Sequence, residues 1–306
     1  MKNLKGMFLF ALVAMLSVSC NKNDDSLPGM TAAVLKNGNA EYWQQVGSGI
    51  VNQSFALGLG TFIGWTDADD DAKGQIENLD TLGKVKNMLP IGLIVAPVDR
   101  SVEEAAAAYA ASKGISVVVL DTPIDVETSP LKSYYRCFVG TDNAVAGEKF
   151  ASCLKEEISK IVCFRIPSSQ PAKLRFDAFA AKKGTVDDVC ATLENINEKV
   201  DSVKAANPEA TTYVFFNGSL CNEALEKLGS KNVYTFDVYK NLLKSLCDGG
   251  CVKGIMAQDS FTMGALAVRA FFSSASGNLY VDPVYFDSTS LGNSTFLKFV
   301  SYYGGL

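Results

Sequence analysis

Four polar residues stand directly after short apolar runs, and their carboxylates and amides can hydrogen-bond to hydroxyl groups. Asp121 ends "VVVLD", Asn217 ends "YVFFN", Asp237 ends "VYTFD" and Gln258 ends "IMAQ". Any one of them alone is typical of a helix cap or a turn. Four at equivalent positions favour a ligand-binding cleft, because planar carboxylates and amides donate or accept in fixed directions.

Two adjacent aromatic residues, Tyr42 and Trp43, lie in "KNGNAEYW", directly after the first apolar run of the mature chain, "TAAVL". Neighbouring residues on a helix do not share one face. A helix that begins here therefore directs at least one ring away from its own core. Such a ring is available to cover an apolar surface elsewhere.

Several kinds of chemistry are excluded. The sequence contains no histidine, which rules out Ser-His-Asp catalysis, Cys-His catalysis and His-ligated metal sites. "DADDDAKGQIEN" has aspartates at calcium-loop spacing, but the sixth and twelfth positions are Ala72 and Asn78 instead of Gly and Glu. We therefore predict an acidic helix start there, with Asp69 and Asp70 on the solvated surface. The sequence predicts no enzymatic activity, no cofactor and no metal.

The elements that must position these residues alternate along the chain. Helical stretches such as "SVEEAAAAYAASK" and "GEKFASCLKEE" separate short apolar runs. The strand candidates are "TAAVL", "LGTFIGW", "GLIVA", "GISVVVLD", "KIVCFR", "TYVFFN", "NVYTFD" and "GIMAQ". This alternation predicts parallel sheets with helices on both faces. Because one sheet rarely continues so far, we expect an α/β fold with two doubly wound parallel-sheet lobes.

The N-terminal region has the layout of a signal peptide. Lys2 and Lys5 precede an apolar run that is too short to span a bilayer, and "SVSC" follows. A Cys at this place resembles the lipobox of bacterial lipoproteins, with an ordinary secretory signal as the alternative. We predict a signal peptide over 1–19, lipidation of Cys20 and a polar tether over 20–29.

Charge and cysteine usage give weaker limits. Cleavage before Cys20 removes Lys2 and Lys5 and so changes the formal net charge from −5 to −7, which gives no electrostatic case for nucleic acid. The seven remaining cysteines stand mostly in apolar runs and are predicted to be buried thiols. "CDGGC" could close a small disulfide loop in an oxidising compartment.

The chain resembles the type I periplasmic binding proteins, in particular the ribose-binding-like sugar receptors, over nearly all of its mature length. The segments that carry the resemblance are "KNGNAEYWQQVGSGI", "GLIVAPVDRSVEEAAAAYAASKGISVVVLDTPID", "FVGTDNAVAGEKFA", "VFFNGSLCNEALEKLG", "VYTFDVYKNLLKSLCDGG" and "VKGIMAQDSFTMGALAVRA". The resemblance implies two lobes joined by a three-crossing hinge, with crossings near Thr141, Gln258 and Phe286. The N-terminal lobe is then 30–141 plus 259–287, and the C-terminal lobe is 142–258 plus 288–306.

The resemblance also implies ligand contacts. Tyr42 and Trp43 match aromatics that stack on a sugar ring, although Trp43 could instead pack inside its lobe. The residues that match the family's polar contacts are Asp121, Arg175, Asn217, Asp237 and Gln258. Lys36 ends the first strand, and it either contacts the ligand or pairs with an acidic neighbour.

Three departures from the ribose receptors make ribose itself a doubtful ligand. Thr122 and Ala96 replace an arginine and an asparagine, and Ala40–Glu41 replaces Asn-Pro. The predicted function is a monomeric, lipid-anchored binding protein that captures a monosaccharide and delivers it to an ABC importer. The alternative is a sensory receptor for a sugar or an autoinducer-2-like ligand that docks on a signalling partner. Either protein is expected in the bacterial cell envelope, facing the periplasm.

Overall fold

Two six-stranded sheets organise the part of the chain that the structure describes. A computed structural model describes residues 29–85, 90–154, 160–274 and 277–303. The predicted signal peptide, the lipidation site Cys20 and all but the last residue of the tether lie outside the described residues. No helix within the described ranges is long and apolar enough to cross a membrane.

Strands and helices alternate in chain order, as the sequence predicts. The strands are β1 (Met30–Asn37), β2 (Gly60–Thr66), β3 (Pro90–Val95), β4 (Val117–Leu120), β5 (Tyr135–Gly140), β6 (Ile161–Arg165), β7 (Asp187–Cys190), β8 (Thr212–Phe215), β9 (Asn232–Phe236), β10 (Val252–Ala257), β11 (Leu279–Tyr280) and β12 (Val284–Asp287). The helices are α1 (Glu41–Ala56), α2 (Ala72–Lys84), α3 (Arg100–Lys113), α4 (Asn143–Cys153), α5 (Gln170–Lys183), α6 (Ile196–Ala206), α7 (Gly218–Leu228), α8 (Lys240–Cys247), α9 (Ser260–Ala270) and α10 (Ser294–Tyr302).

The two sheets share one topology. Their orders are β11-β5-β4-β3-β1-β2 and β12-β10-β9-β8-β6-β7. All neighbouring strands pair in parallel except β10 and β12. The prediction of two doubly wound lobes is confirmed. Strand order reverses between β1 and β3 and between β6 and β8, and ligands of such sheets bind beside this point at the carboxyl ends of strands.

The chain passes between the sheets after β5, after β10 and after β11. The third passage comes earlier than the sequence predicts, because β12 pairs with β10 of the second sheet and not with the first. Its Phe286 packs its ring 5.4 Å from that of Phe296 and 5.1 Å from that of Phe299, on α10. The predicted segment 259–287 of the first lobe is therefore too long by this strand.

Two close helix contacts hold the elements that carry the candidate site. A Cβ at Gly49 of α1 would lie 2.0 Å from Phe261 O, and one at Gly264 of α9 would lie 2.0 Å from Val46 O. In the second lobe, a Cβ at Gly147 of α4 would lie 2.2 Å from the carbonyl oxygen of Arg175. Only glycine lets these backbones approach so closely, so α1 is fixed against α9 and α4 against α5.

Helix starts and cysteines test two smaller predictions. Asp71 accepts a hydrogen bond from Gly74 N and caps α2, so the predicted acidic helix start is confirmed. No disulfide joins any of the seven described cysteines. Three of them are buried, namely Cys137, Cys163 and Cys221; Cys153, Cys247 and Cys251 are half-buried, and Cys190 is exposed. The expectation that most are buried is too broad, and the thiols of "CDGGC" are not bridged.

Candidate functional site

Two aspartates stand at matching strand ends in the two lobes with strained backbones. Asp121 follows β4 with φ of 60°, and Asp237 follows β9 with φ of 63°. Left-handed backbone is uncommon outside glycine, although Asp tolerates it better than most residues. Each backbone is held by its sheet, since Asp121 N donates to Val139 O and Asp237 N donates to Met256 O. Strain of this kind concentrates at functional sites, where it directs a side chain.

The aromatic pair at the start of α1 is buried, and its polar atoms meet carboxylates. The Tyr42 hydroxyl donates to Asp121 Oδ1 at 2.7 Å, and the Trp43 indole N–H donates to Asp69 Oδ1 at 3.0 Å. The two rings meet edge to face, with centroids 5.1 Å apart. Burial raises the pKa of Tyr42 well above its usual value, and the charges of Asp121 and Asp237 add to the shift. Charged groups of both lobes therefore act electrostatically on the Tyr42 hydroxyl.

Lys36, at the end of β1, lies between two carboxylates without forming an ion pair to either. Its ammonium donates to Thr122 Oγ1 at 2.7 Å and lies 5.8 Å from the centroid of the Trp43 ring. Burial lowers the pKa of Lys36, while Asp121 and then Asp69 oppose the shift. Of the two roles expected for Lys36, an ion pair with an acidic neighbour is not formed within the described part of the chain, and the contact with a ligand stays a prediction.

Asp69 corrects one sequence prediction. Asp70 is exposed, as predicted for this acidic run, but Asp69 is half-buried and faces Trp43. Burial raises the pKa of Asp69, and the Lys36 ammonium and the Trp43 hydrogen bond counteract that shift. Asp69 therefore belongs to the same polar cluster as Lys36 and Trp43.

Arg175, on α5, is tied into its own lobe. Its side chain is 3% exposed; Nε donates to Asn143 Oδ1 at 2.7 Å and one terminal nitrogen donates to Phe216 O at 3.2 Å. That nitrogen also lies 3.9 Å from Asp237 Oδ2. The second terminal nitrogen has no hydrogen-bond partner among the described residues. Arg175 thus forms an ion pair with Asp237, and its second terminal nitrogen can still donate to a ligand.

Asp237 and Gln258 form the floor of the cluster in the second lobe. Burial raises the pKa of Asp237, and Arg175 and the side-chain amide of Gln258 oppose that shift. Gln258 Nε2 donates to Asp237 Oδ1. Gln258 is 4% exposed, and its amide oxygen has no hydrogen-bond partner among the described residues. A buried acceptor without a donor is costly, and a ligand donor would satisfy it.

Asn217 spans the point where strand order reverses in the second sheet. Its side-chain oxygen accepts from Ile166 N at 2.9 Å, directly after β6, and its amide nitrogen lies 3.4 Å from Ser169 Oγ. These bonds position the loop before α5. Asn217 is half-buried, and its observed contacts are to this loop.

The lobes are closed against each other. Glu41 Oε2 at the start of α1 accepts from Lys240 N at the start of α8, at 2.8 Å. One turn along α1, Gln45 Nε2 donates to Tyr302 O at the end of α10, at 2.7 Å. The Tyr302 ring also stacks on that of Phe261, with centroids 5.0 Å apart. These contacts join the first lobe to the second.

A separate cavity lies beside the first crossing. Its volume is about 220 Å³, and its lining includes Ile124, Phe138, Leu174 and Tyr280. Polar residues, among them Thr141, Asn143 and Asn278, also line it, and Asn143 is the acceptor of the Arg175 hydrogen bond.

Sequence reasoning misses four members of the site. It places Asp69 on the surface, treats Thr122 only as a departure from the ribose receptors, and does not single out Asn143 or Tyr239. Tyr239 is 7% exposed, and burial followed by the charges of Asp237 and Asp69 raises its pKa well above the usual value. Its position at the start of α8, two residues after a predicted contact, is the available signal.

Two doubly wound lobes that close on a polar and aromatic cluster define a two-lobe solute receptor. A family model described as "Periplasmic binding protein domain" matches residues 32–279, and the chain belongs to this family. The predicted type I, ribose-binding-like relationship is confirmed. Family membership also confirms that the chain is a solute receptor and not an enzyme, and it indicates a periplasmic or cell-envelope location.

Solved structures with this fold include three sugar-transport components. The periplasmic component of an ABC-type sugar transport system from Hahella chejuensis is 20% identical with a TM-score of 0.72, covering 84% of this chain and 99% of that one. A solute-binding protein from Agrobacterium vitis, bound with alpha-D-tagatopyranose, is 17% identical with a TM-score of 0.76, covering 89% and 98%.

The third structure is a carbohydrate transporter solute-binding protein from Agrobacterium radiobacter in complex with D-arabinose. It is 18% identical with a TM-score of 0.72, and the match covers 89% of this chain and 98% of that one. At such identities the three structures establish the fold of this chain. A search of curated proteins found no match.

Proposed function

We propose that this protein is a lipid-anchored substrate-binding protein that captures a small carbohydrate between its lobes and delivers it to an ABC importer. One observation carries the proposal. Hydrogen-bonding groups with unused capacity converge from both lobes beside buried aromatic rings, and they do so at the carboxyl ends of the strands.

A sugar presents C–H faces and hydroxyl edges, and the cluster offers partners for both. The rings of Tyr42 and Trp43 can cover an apolar face. The Asp121 carboxylate already accepts from Tyr42 and lies 3.3 Å from Thr122 Oγ1. A carboxylate has about four acceptor positions, so Asp121 retains capacity for a ligand hydroxyl.

The second lobe supplies complementary groups. Gln258 offers an acceptor, Arg175 offers donors, and Asp237 offers further acceptor capacity beside them. We infer that Asn217 completes this side, from its place at the reversal of strand order. The strained backbones at Asp121 and Asp237 fix both carboxylates before the ligand arrives. Ligand binding therefore loses little conformational entropy in ordering these side chains.

The known ligands of related structures support a sugar of small size. The proteins from Agrobacterium vitis and Agrobacterium radiobacter were solved with alpha-D-tagatopyranose and D-arabinose. Thr122 and Ala96 replace groups that the ribose receptors use, so we do not assign ribose. The cluster suits a neutral polyhydroxyl ligand, because an acidic sugar would place a further negative charge beside the carboxylates of Asp121 and Asp237.

Capture would proceed by closure. The first lobe contributes Tyr42 and Asp121, and the second contributes Arg175 and Asp237, so a sugar contacts both sets only in the closed form. A ligand that binds the closed form better shifts the equilibrium toward it. The importer would then recognise the closed receptor, which we propose acts as a monomer held to the membrane through Cys20 and facing the periplasm.

A thermal-shift screen tests the carbohydrate assignment. The purified mature chain is heated with a panel of pentoses, hexoses and sugar acids. We expect at least one neutral monosaccharide to raise the melting temperature in a concentration-dependent way, because ligand binding stabilises only the folded state. The variant Asp80→Ala changes an exposed carboxylate on α2, far from the proposed contacts in sequence. As a control, it should show the same ligand-dependent rise in melting temperature as the parent. A panel that leaves the melting temperature unchanged would contradict the assignment.

A further inference from the structure

Asp69 and Lys36 both lie beside the indole ring of Trp43. Asp69 Oδ1 accepts from the indole N–H at 3.0 Å, and the Lys36 ammonium lies 5.8 Å from the centroid of the indole ring. Both side chains come from strand ends of the first sheet, β1 for Lys36 and the loop after β2 for Asp69. They therefore lie beside Trp43 at the carboxyl ends of strands of the first sheet.

Each of the two groups has unused hydrogen-bonding capacity. The Lys36 ammonium carries three donors, and one of them is used on Thr122 Oγ1 at 2.7 Å. Asp69 Oδ2 has no hydrogen-bond partner within the described ranges, and Asp69 and Lys36 do not form an ion pair with each other. A donor and an acceptor of opposite charge thus face one region without meeting.

We propose that Asp69 is a specificity-determining ligand contact that, together with Lys36, binds one hydroxyl group of the sugar beside Trp43. A hydroxyl is both donor and acceptor, so its oxygen accepts a hydrogen bond from the Lys36 ammonium while its own hydrogen is donated to Asp69 Oδ2. The inference rests on the proposed carbohydrate-binding function and extends it to a residue outside the predicted contacts.

Such a pair discriminates against a ligand that lacks the hydroxyl. A site built to hydrogen-bond a hydroxyl is left with unpaired buried groups when an analogue carries hydrogen there. Loss of a hydrogen bond to a charged group corresponds to roughly a ten- to hundredfold weaker affinity. A direct contact lowers the affinity only for the analogue that lacks this one hydroxyl. An indirect role of Asp69 would change the affinity for all sugars alike.

The alternative role for Asp69 is to hold Trp43 in place. In that case, removal of the carboxylate would loosen the ring and weaken every sugar by a similar factor. Trp43→Phe removes the N–H that Asp69 accepts and makes the ring smaller, so a positioning role predicts that this variant and Asp69→Asn both weaken every sugar without selecting one ring position. Asp70→Asn removes the neighbouring, exposed carboxylate and serves as the control for charge in the loop.

The test is a calorimetric cycle with the best neutral monosaccharide of the panel and its singly deoxygenated analogues. In the parent protein, we expect one analogue to bind about ten- to hundredfold more weakly than the sugar. In Asp69→Asn, the difference in affinity between the sugar and that analogue should become smaller, because the charged acceptor is lost and the Lys36 bond remains, while Asp70→Asn keeps the parent pattern. If Asp69→Asn does not fold, Lys36→Met removes the donor to the same hydroxyl and should reduce the same discrimination, because only the bond to Asp69 remains.

The outcomes separate this inference from the proposed function. If the parent binds no sugar, the proposed function fails and the inference with it. If the parent binds but Asp69→Asn weakens the sugar and all analogues by one common factor, or changes none of them, Asp69 is not a ligand contact although the function stands. The proposed joint contact of Asp69 and Lys36 is also excluded if Lys36→Met, used in place of Asp69→Asn, keeps the discrimination of the parent.

Discussion

A carboxylate from one lobe caps a helix of the other lobe. This carboxylate is not a proposed ligand contact, yet its removal should weaken ligand binding. Tyr239 precedes α8 but gives it no side-chain cap. Glu41 Oε2 supplies the missing acceptor to Lys240 N at 2.8 Å, from the opposite lobe. Because this bond joins the two lobes, Glu41→Ala should shift the equilibrium toward the open form.

The size of the shift follows from the value of a helix cap. Replacing a capping acceptor by Ala costs about 0.5–2 kcal/mol. Glu41 is half-buried, and solvent screens part of its charge, so we take about 1 kcal/mol. When the free receptor is mostly open, this loss raises the apparent dissociation constant by about fivefold. The closed form that remains binds with unchanged contacts.

The assay combines calorimetry with X-ray scattering on the parent and on Glu41→Ala, using the sugar that the screen identifies. Asn52→Ala changes an exposed residue of the same helix and should behave as the parent does. We expect the variant to bind more weakly and to be less compact at subsaturating ligand, yet to reach the parent's compactness at saturation. Unchanged affinity, or a loss that persists as a different closed shape at saturation, would refute the reasoning.

Three further predictions address packing, acidity and anchoring. Gly264→Ala should lower stability by about 1–3 kcal/mol, seen as an earlier thermal unfolding transition, because its Cβ would meet Val46 O at 2.0 Å. Gly83→Ala, where a Cβ meets nothing within 4 Å, should not. Burial raises the pKa of Asp69 and of Asp237 above 3.8, so sugar affinity should fall on acidification before pH 3.8 is reached. The stability of the folded protein should change in the opposite direction. A carboxyl pKa that is higher in the folded state stabilises the protein fully below the unfolded-state pKa, and this stabilisation is lost as pH rises through the folded-state pKa. Affinity that is constant down to pH 3.8 would exclude both groups from the site. Cys20→Ala should move the protein from the membrane fraction to the soluble fraction, and an unchanged distribution would contradict lipid anchoring.

The sequence predicted the parallel architecture because its central strands are short, β-branched and buried on both faces. β4, "VVVL", is fully buried, and such a run has few other interpretations. The strands that escaped prediction are β5, β7, β11 and β12. β7, "DDVC", is half-exposed at a sheet edge, and β11 has two residues. β7, β11 and β12 are edge strands, which carry little apolar signal and depend on the sheet that they join. β5 lies inside its sheet and was missed although four of its six residues are buried.

The site was predictable where one residue's position in its own strand determines its role. Asp121, Asp237 and Gln258 follow strands, and topology alone brings strand ends to one edge. Contacts between distant segments were not predictable in this way. Asp69 meets Trp43 across 26 residues, and Glu41 meets Lys240 across 199 residues. Both contacts depend on how helices and loops approach, which no local pattern encodes.

The central claim is that a sugar binds between the lobes against Asp121, and calorimetry on the parent and on Asp121→Ala tests it most directly. The parent should bind one neutral monosaccharide with one site per chain. Asp121→Ala removes a charged acceptor and should weaken that sugar by roughly ten- to hundredfold, whereas Asp80→Ala should leave it unchanged. If the parent binds the sugar and Asp121→Ala binds it equally well, the ligand does not occupy this cleft.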